Sequence, residues 1–92
     1  MVIFEWDATK SARNIAKHGV SFTLAQRIFE NAVLTMTDDR MDYGERRDIS
    51  IGRVEGILLL TVVHTDRAGR VRIISARPAS QRERRHYDQA IR

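Results

Sequence analysis

The sequence predicts a small α+β domain, in which a four-stranded antiparallel sheet carries a helical hairpin after its first strand and a helix at its C-terminal end. Residues 57–65 form an apolar run of strand length, which is typical of a central strand covered on both faces. Residues 47–53 alternate between apolar and polar side chains, and capping residues precede each predicted helix. The order is therefore β-α-α-β-β-β-α. No repeat, linker or low-complexity stretch interrupts the 92 residues, so a single domain is expected over residues 1–92.

Local signals place the elements of the first half of the chain. Residues 2–6 are expected to form a short strand. Asp7 is a typical N-cap for a helix over residues 8–18, and Gly19 is the expected stop at its C-terminal end. Ser21 caps a second helix, so the two helices form a hairpin. The apolar residues expected to face the core are Ala12, Ile15 and Ala16 in the first helix and Phe22, Ala25, Ile28 and Phe29 in the second.

The stretch after the hairpin is expected to be a polar loop of moderate mobility, because residues 31–44 include three aspartates. The strand over residues 47–53 is expected to have one face in water, because its alternating polar positions are Asp48 and Ser50. Tight turns are expected over residues 52–56 and 66–69. Sequential hairpins make the last three strands an antiparallel meander, with the first strand added at one side.

The C-terminal stretch joins a strand to a cationic helix. The strand, over residues 71–76, is stopped by Pro78, because proline has no N–H group for a ladder. Ser80 followed by Glu83 is a capping box, so a helix begins there. The arginines in or just after this stretch are Arg70, Arg72, Arg77, Arg82, Arg84, Arg85 and Arg92. A rigid strand that aims arginines, followed by a cationic helix, indicates a phosphate-binding site.

The composition narrows the class of partner and the compartment. The net charge is +4, and 14 of the 16 basic residues are arginine, whose planar fork suits phosphate. The basic C-terminal third therefore favours a nucleic acid or an acidic protein as partner, with a solvated charged surface as the alternative. Without cysteine there is no disulfide framework or thiolate metal site. No apolar run approaches the roughly 18 residues of a spanning helix and no signal peptide is apparent, so a cytoplasmic protein without a membrane partner is expected.

His18 is the most suggestive single residue for chemistry. It follows Lys17 at the predicted end of a helix, and histidine is the usual proton-transfer group near neutral pH. The alternative is that the two residues only cap the helix electrostatically. Glu45 with Arg47 opens the second strand, where the carboxylate can act as a base or orient an arginine. An ion pair across neighbouring strands is the alternative for Glu45.

Further candidates lie in the sheet and the last helix. Arg72 and Arg77 have an odd spacing, which predicts that they point to opposite faces, and Arg77 at the strand end is the better candidate for a cleft. His64 ends the most buried strand, where a satisfied boundary residue is the more usual role. Trp6 and Tyr87 can stack on bases, although core packing is the better default for Trp6. The histidines lack metal-site spacing, so no metal or other cofactor is expected.

Several short motifs along the chain occur together in one family of toxins. They are Phe4-Glu-Trp-Asp7, Asn14, Lys17-His-Gly19, Phe22, Glu45, Arg47, Ile51-Gly52, Arg72-Ile-Ile-Ser-Ala-Arg77, Arg82-Glu83 and Tyr87. On these motifs the chain resembles the BrnT family, the toxin half of type II toxin–antitoxin pairs, over essentially its whole length. One departure is Arg46, where family members often carry a second acidic residue, and it leaves Glu45 without a paired carboxylate.

The resemblance implies a RelE-like ribonuclease fold, RNA cleavage that halts translation and growth, and a BrnA-type antitoxin as partner. It implies that operator DNA is reached only through the antitoxin. A hetero-oligomer, such as a dimer of toxin–antitoxin dimers, is expected. The expected catalytic residues are Arg77, His18, Lys17, Glu45 and Arg47, and the expected RNA-binding residues are Arg72, Arg82, Tyr87 and His64.

The expected chemistry is RNA cleavage without a metal ion. A base takes the proton of the ribose 2′-hydroxyl, which attacks the adjacent phosphorus, while cations stabilise the dianion and an acid protonates the leaving 5′-oxygen. The residues that can transfer protons are Glu45, His18 and His64, and those that can hold the phosphate are Arg77 with Arg47 or Lys17. Two other classes remain open. They are a non-enzymatic RNA-binding module and a protein-interaction domain whose helix over residues 80–92 docks an acidic partner.

Overall fold

The computed structural model describes residues 2–91 and contains a five-stranded sheet with three α-helices and one 3₁₀ helix. The elements are β1 (Phe4–Glu5), α1 (Ala8–His18), α2 (Phe22–Ala25) continued by the 3₁₀ helix (Gln26–Glu30), β2 (Leu34–Asp38), β3 (Arg47–Val54), β4 (Leu58–Arg67), β5 (Arg70–Pro78) and α3 (Gln81–Ala90). The strand order is β1-β5-β4-β3-β2. The α+β class, the central position of β4, the meander of the last three strands and the C-terminal helix are confirmed, while Arg92 lies outside the described residues. None of the helices described is long and apolar enough to span a membrane.

The predicted four-stranded antiparallel sheet is wrong in two respects. β1 runs parallel to β5, so the sheet is mixed, and β2 adds a fifth strand inside the stretch predicted as a polar loop. Leu34 of β2 pairs with Ile51, and Asp38 pairs with Arg47, which makes β2 an edge of the sheet. An edge strand needs few apolar side chains, because one of its edges and much of its surface face solvent. The polar composition therefore predicted a loop where pairing with β3 produces a strand.

The helix ends follow the predicted capping residues. Asp7 and Ser21 each accept a hydrogen bond of 3.0 Å from a backbone N–H in the first turn of the helix that follows. Gly19 ends α1 in the left-handed conformation with φ +71°, which glycine adopts without a steric penalty. Ser80 and Glu83 form both hydrogen bonds of the predicted capping box at α3. The helix boundaries are thus set by residues close to them in sequence.

The side of α1 that meets the sheet is polar. The prediction that Ala12, Ile15 and Ala16 face the core is wrong, because all three are exposed while Asn14 is buried. Asn14 Nδ2 donates to the Ala76 carbonyl at 2.7 Å, and Asn14 Oδ1 accepts from the Ala76 N–H at 3.2 Å. Since β1 pairs only with the beginning of β5, this amide satisfies backbone groups further along the same edge. A helix beside a strand edge buries a hydrogen-bonding side chain instead of an apolar one.

One face of the sheet, the covered face, is closed by α2 and the 3₁₀ helix. Phe22 and Ile28 from these helices are fully buried against Leu60 and Val62 of β4. These two elements together form the second helix of the predicted hairpin, of which only the first turn is α-helical and the rest is a 3₁₀ helix. The 3₁₀ helix approaches the sheet closely at Gly52 of β3, where an added Cβ atom would lie 2.9 Å from the Ile28 Cβ. The covered face thus holds the main core of the domain.

Polar side chains on the covered face bond to one another. Ser50 is fully buried, and its hydroxyl lies 2.7 Å from His64 Nε2 and 2.8 Å from Thr35 Oγ1. The Phe29 ring meets the His64 ring edge-to-face, with 5.1 Å between centroids. Burial lowers the pKa of His64. The prediction that the Ser50 side of β3 meets water is wrong, because the 3₁₀ helix packs over it.

The opposite face, the open face, is covered by α3 over only part of its area. Tyr87 of α3 packs with Ile51 and Leu59 in a second, smaller core. Ile49 and Val63 lie further along the same face and are only half-buried. α3 therefore divides the open face into a packed half and an accessible half.

A β-bulge decides which arginines share the open face. The register between β4 and β5 shifts next to His64, so Arg72 pairs with Thr65 and Arg77 pairs with Thr61. Residues paired across neighbouring strands lie on the same face, and the spacing between the two threonines is even. Arg72 and Arg77 therefore share a face. The prediction of opposite faces is wrong, because the extra residue of the bulge reverses the alternation.

Candidate active site

A cleft lies in the accessible half of the open face, between the end of α1, the loop after β2 and the start of α3. Its cavity volume is about 350 Å³. The floor is formed by Ile49, Thr61, Val63, Ser75 and Ala76, and the rim by Lys17, His18, Arg40, Arg77 and Glu83. Three of the expected catalytic residues therefore meet in one cleft, although they come from distant parts of the sequence.

Arg77 is held at the rim by Glu83. Its Nη1 and Nη2 atoms donate to the two carboxylate oxygens of Glu83 at 2.7 and 2.8 Å, and Nη1 also donates to the Pro78 carbonyl at 3.3 Å. Glu83 is fixed in turn, because its Oε1 atom accepts from the Ser80 N–H at 2.8 Å. Burial raises the pKa of Glu83, but hydrogen bonds from Arg77 and Ser80 outweigh burial and lower this pKa to about 2. The ion pair is therefore fully charged at neutral pH.

The floor of the cleft contains a buried hydroxyl group. Thr61 is 2% exposed and lies near enough to Glu83 to help lower the pKa of that carboxyl. Its Oγ1 atom nevertheless has no hydrogen-bond partner of good geometry within the described part of the chain. Val63 and Ser75, which pair across β4 and β5, continue the floor. A ligand in the cleft would therefore meet apolar carbon and hydroxyl groups beneath a cationic rim.

Lys17 and His18 reach the rim from the C-terminal end of α1. The amide of Asn14 fixes this helix to Ala76 of β5, which is the residue before Arg77. Lys17 is exposed and His18 is half-buried. Cations at this end of a helix interact favourably with the helix dipole, so capping and a role in the cleft are compatible. The contact between Asn14 of α1 and the edge of β5 thus brings the Lys17 ammonium and the His18 imidazole to the same cleft as Arg77.

Arg40 is a rim residue that sequence reasoning missed. Its Nε and Nη2 atoms donate to the two carboxylate oxygens of Asp38 at 2.8 and 2.9 Å. These bonds are the main reason that the pKa of Asp38 is lowered to about 2. The Tyr43 hydroxyl also donates to Asp38, at 3.2 Å, and the Arg47 guanidinium lies over the Tyr43 ring at 4.1 Å from its centroid. The spacing of Asp38 and Arg40 was the available sequence signal, and it is too common to identify a site.

Glu45 and Arg47 do not line this cleft. Glu45 forms ion pairs with Arg67 at 3.3 Å and with Arg47 at 3.4 Å. The hydrogen bond from Arg67 is the largest cause of the lowered pKa of Glu45. Glu45 borders a separate depression of about 260 Å³ near the start of β3. The geometry therefore favours the ion-pair role for Glu45 and a supporting role for Arg47, whose guanidinium packs on the Tyr43 ring.

The four expected RNA-binding residues are dispersed. Arg72 lies on the open face, but its Nη1 atom donates to the Oε2 atom of Glu5 in β1 at 2.7 Å, away from the cleft. Tyr87 is buried, and its hydroxyl donates to a backbone carbonyl at 3.3 Å. His64 is buried on the covered face. Arg82 is exposed on α3, where it precedes the rim glutamate in sequence. None of these four residues lines the cleft, and Arg82 is the exposed one that neighbours a rim residue in sequence.

Two remaining expectations concern an aromatic residue and metal ligands. Trp6 packs edge-to-face on Phe22, with 6.4 Å between ring centroids, and contributes to the core of the covered face. Among residues 2–91, no group of three or more histidine, cysteine, aspartate or glutamate side chains is arranged to hold a metal ion. The polar side chains that line the cleft are an imidazole, an ammonium, two guanidinium groups, the carboxylate of Glu83 and the hydroxyl groups of Thr61 and Ser75.

Comparisons with known proteins give a consistent match. The family model described as the ribonuclease toxin BrnT of a type II toxin–antitoxin system matches residues 6–83, a range that includes every residue lining the cleft. The chain is also similar to the 1.1 Å crystal structure of the Brucella abortus ribonuclease toxin BrnT, with a TM-score of 0.65 and 27% sequence identity. That alignment covers 88% of this chain and 100% of the other. No curated protein sequence matches the chain significantly.

Proposed function

Because the chain belongs to the BrnT family of ribonuclease toxins of type II toxin–antitoxin systems, we propose that it cleaves RNA in the cleft between Lys17, His18 and Arg77. The proposed reaction is attack of a ribose 2′-hydroxyl on the adjacent phosphorus, with no metal ion required. The observation that carries the proposal is the meeting of an imidazole, an ammonium and a guanidinium in one cleft. Such groups can transfer protons and stabilise negative charge, which are the two requirements of phosphodiester cleavage.

Each of these groups has its own role in the proposed reaction. His18 takes the proton of the 2′-hydroxyl as its oxygen forms a bond to phosphorus. Arg77 stabilises the non-bridging oxygens through the N–H groups that neither Glu83 nor the Pro78 carbonyl engages. Lys17 donates a proton to the 5′-oxygen as the bond between phosphorus and that oxygen breaks. The products are a 2′,3′-cyclic phosphate and a 5′-hydroxyl, and a positioned acid–base pair typically contributes about 10²- to 10⁴-fold to the rate.

The central experiment compares RNA cleavage and growth arrest between the wild type, Arg77→Ala and His18→Ala at matched protein levels. Arg70→Ala is the matched control, because Arg70 is exposed at the opposite end of the same strand as Arg77. We expect each of the first two variants to lose about 10²-fold or more in cleavage rate, whereas Arg70→Ala stays near the wild type. Cleavage should continue in EDTA, and end analysis should find 2′,3′-cyclic phosphates.

Three outcomes would contradict separate parts of this proposal. Undiminished cleavage by both Arg77→Ala and His18→Ala would exclude the cleft as the active site. Activity that is lost in EDTA and restored by a divalent ion would exclude the metal-independent reaction. Products with 3′-hydroxyl and 5′-phosphate ends would exclude attack by the 2′-hydroxyl.

The toxin–antitoxin family implies an antitoxin partner, and we propose one of the BrnA type. The proposed assembly is a hetero-oligomer, such as a dimer of toxin–antitoxin dimers, that contacts operator DNA only through the antitoxin. Charge supports an acidic segment over the cleft, since Arg82, Arg84 and Arg85 are exposed on the neighbouring helix α3. Mass measurement of the co-expressed complex and inhibition of RNA cleavage by the antitoxin test this assembly. A stable complex that still cleaves RNA at the full rate would contradict occlusion of the cleft.

Two other functions would use the same cationic surface without chemistry. A non-enzymatic RNA-binding module would lose affinity with salt, by a log–log slope of roughly 0.7 per phosphate contact, and would form no cleaved product. A protein-interaction module would bind an acidic partner through the exposed arginines of α3 and would not bind RNA. The ribonuclease is favoured because the cleft holds a proton-transfer group beside its cations. We further propose that the fold is a variant of the RelE-like ribonuclease fold and that the RNA is met in the cytoplasm.

A further inference from the structure

The rim of the cleft has two arginines, and a separate carboxylate fixes each of them. Arg77 is bound by both oxygens of Glu83, and Arg40 is bound in the same way by Asp38. The carboxylates are largely buried, with side chains 20% exposed at Glu83 and 1% exposed at Asp38. The arginine side chains remain 40% exposed at Arg77 and 64% at Arg40. Bidentate charge-assisted hydrogen bonds fix the plane of a guanidinium as well as its position.

Arg40 has further support from the loop that joins β2 to β3. The Tyr43 hydroxyl donates to Asp38 Oδ2 at 3.2 Å, and the Arg40 backbone N–H donates to Asp38 Oδ1 at 3.3 Å. Arg47 then packs its guanidinium over the Tyr43 ring. Arg47, Tyr43 and Asp38 therefore form a continuous series of contacts from β3 to Arg40. An exposed arginine with this much support is held in one orientation toward the cleft.

The two rim guanidinium groups are close enough to affect each other electrostatically. Glu83 raises the pKa of Arg77, and the positive charge of Arg40 opposes that effect. Like charges fixed around an open cavity repel each other, and a bound anion offsets this repulsion through a favourable interaction with each of them. Because both arginines are already ordered, the anion would not need to order them on binding.

We propose that Arg40 is a second phosphate-binding residue of this site and holds the scissile phosphodiester together with Arg77. The inference rests on the ribonuclease function proposed above, and it replaces Arg47 by Arg40 as the partner of Arg77. Asp38 engages Nε and one N–H of Nη2, which leaves both N–H groups of Nη1 for a phosphate oxygen. Arg47 and Tyr43 act through Asp38 and are positioning residues.

The direct test is Arg40→Ala, with Arg46→Ala as the matched control. Arg46 lies in the same loop, is exposed and forms an ion pair with an aspartate two residues away, but it does not line the cleft. We expect kcat/KM for a short single-stranded RNA to fall by about 10²-fold in Arg40→Ala, as for the loss of one preorganised donor to a developing charge. The value for Arg46→Ala should stay near that of the wild type.

A second measurement does not depend on catalysis. Inorganic phosphate, added at constant ionic strength, should raise the Tm of the wild type and of Arg46→Ala, because a ligand of the folded state stabilises it. The increase should be smaller in Arg40→Ala and in Arg77→Ala. Arg40→Lys keeps the charge opposite Asp38 but lacks the bidentate fork, so its kcat/KM should fall between those of Arg40→Ala and the wild type.

The outcomes separate this inference from the function on which it rests. If Arg40→Ala matches Arg46→Ala in kcat/KM and in the phosphate-dependent Tm while Arg77→Ala is impaired, Arg40 is not part of the site and the proposed function stands. If Arg77→Ala and His18→Ala are also unimpaired, the cleft is not the active site and the proposed function itself fails. Should Arg40→Ala not fold, because Asp38 is left buried and unpaired, Arg40→Lys and Tyr43→Phe replace it. Wild-type kcat/KM in both would then overturn the role of Arg40.

Discussion

The two faces of the sheet satisfy their polar side chains in different ways. On the covered face, Ser50 and His64 bond to each other beneath the helices, and both are buried. On the open face, Arg77 and Arg40 are each bound to a carboxylate on one side and remain exposed on the other. A closed polar network favours a single structure, whereas a fixed but incompletely paired charge is ready for a ligand. The difference indicates why the chemistry is expected on the open face alone.

The largest expected effect on stability is at Gly52 of the covered face. A Cβ atom there would lie 2.9 Å from both the Ile28 Cβ and the Val33 Cγ1, so Gly52→Ala must displace the 3₁₀ helix or the strand. We expect the free energy of unfolding to fall by about 2 kcal/mol, with kcat per folded molecule unchanged. Chemical denaturation and RNA-cleavage assays measure the two quantities. A loss of kcat with unchanged stability would break the distinction between the faces.

A smaller effect, on activity, is expected at Glu83 of the open face. Glu83→Gln keeps the size of the side chain but removes the charge that fixes Arg77. We expect kcat to fall about tenfold, equivalent to about 1.4 kcal/mol, with a smaller change in KM. In the double variant with Arg77→Ala, the substitution should add little, because its effect acts through Arg77. A rise in kcat would instead indicate that the carboxylate competes with the phosphate.

The pH dependence of stability should also differ between the faces, because His64 of the covered face and Glu83 of the open face lose their stabilising contributions in different pH ranges. Burial lowers the pKa of His64 from 6.5, so its stabilising contribution is complete above pH 6.5 and is lost as the pH falls through the lower folded-state value. The pKa of Glu83 is lowered from 4.5 to about 2, so its contribution is complete above pH 4.5 and is lost toward pH 2. Thermal unfolding should show a shallow decline below pH 6.5 that His64→Gln removes. An unchanged decline in His64→Gln would refute this assignment.

The smallest effect is expected at Ile15, which the sequence predicts to be a core residue. Ile15 is 49% exposed, so Ile15→Ser should change the free energy of unfolding by no more than about 0.5 kcal/mol. Denaturant titration beside the wild type measures the difference. A loss comparable to that of Gly52→Ala would indicate that this side of α1 is buried.

Local interactions in this fold were predictable, and interactions between distant residues were predictable only in part. The caps at Asp7, Ser21 and Ser80 were predicted correctly, because each bonds to a backbone group a few residues away. The strand β2 was missed, since its pairing with β3 is not visible in its own composition. The bulge next to His64 was also missed, and with it the shared face of Arg72 and Arg77. One inserted residue is enough to reverse a prediction that relies on strand alternation.

The candidate site shows the same limit. The prediction of Arg77, His18 and Lys17 rests on a strand end, a helix end and a family resemblance, and the fold brings these residues to one cleft. Glu45 and Arg47 are predicted from the same kind of signal, but they lie at the end of the loop before β3 and at the start of β3, where they pair with each other outside the cleft. No sequence pattern distinguished the arginine that Asp38 fixes from the many others in the chain. A bidentate pair between the last residue of β2 and a residue of the following loop becomes apparent only when the conformation of that loop is known.

The amide of Asn14 also determines how the sheet can meet other chains. By engaging the N–H and the carbonyl of Ala76, it prevents that part of the β5 edge from acting as a template for an incoming strand. The edge formed by β2 is paired on one side only, and it carries the exposed Met36. Strand addition, either by a binding partner or in aggregation, is therefore disfavoured at this part of β5, whereas the outer edge of β2 stays accessible to it. One buried asparagine side chain thus does for a segment of β5 what a neighbouring strand would otherwise do.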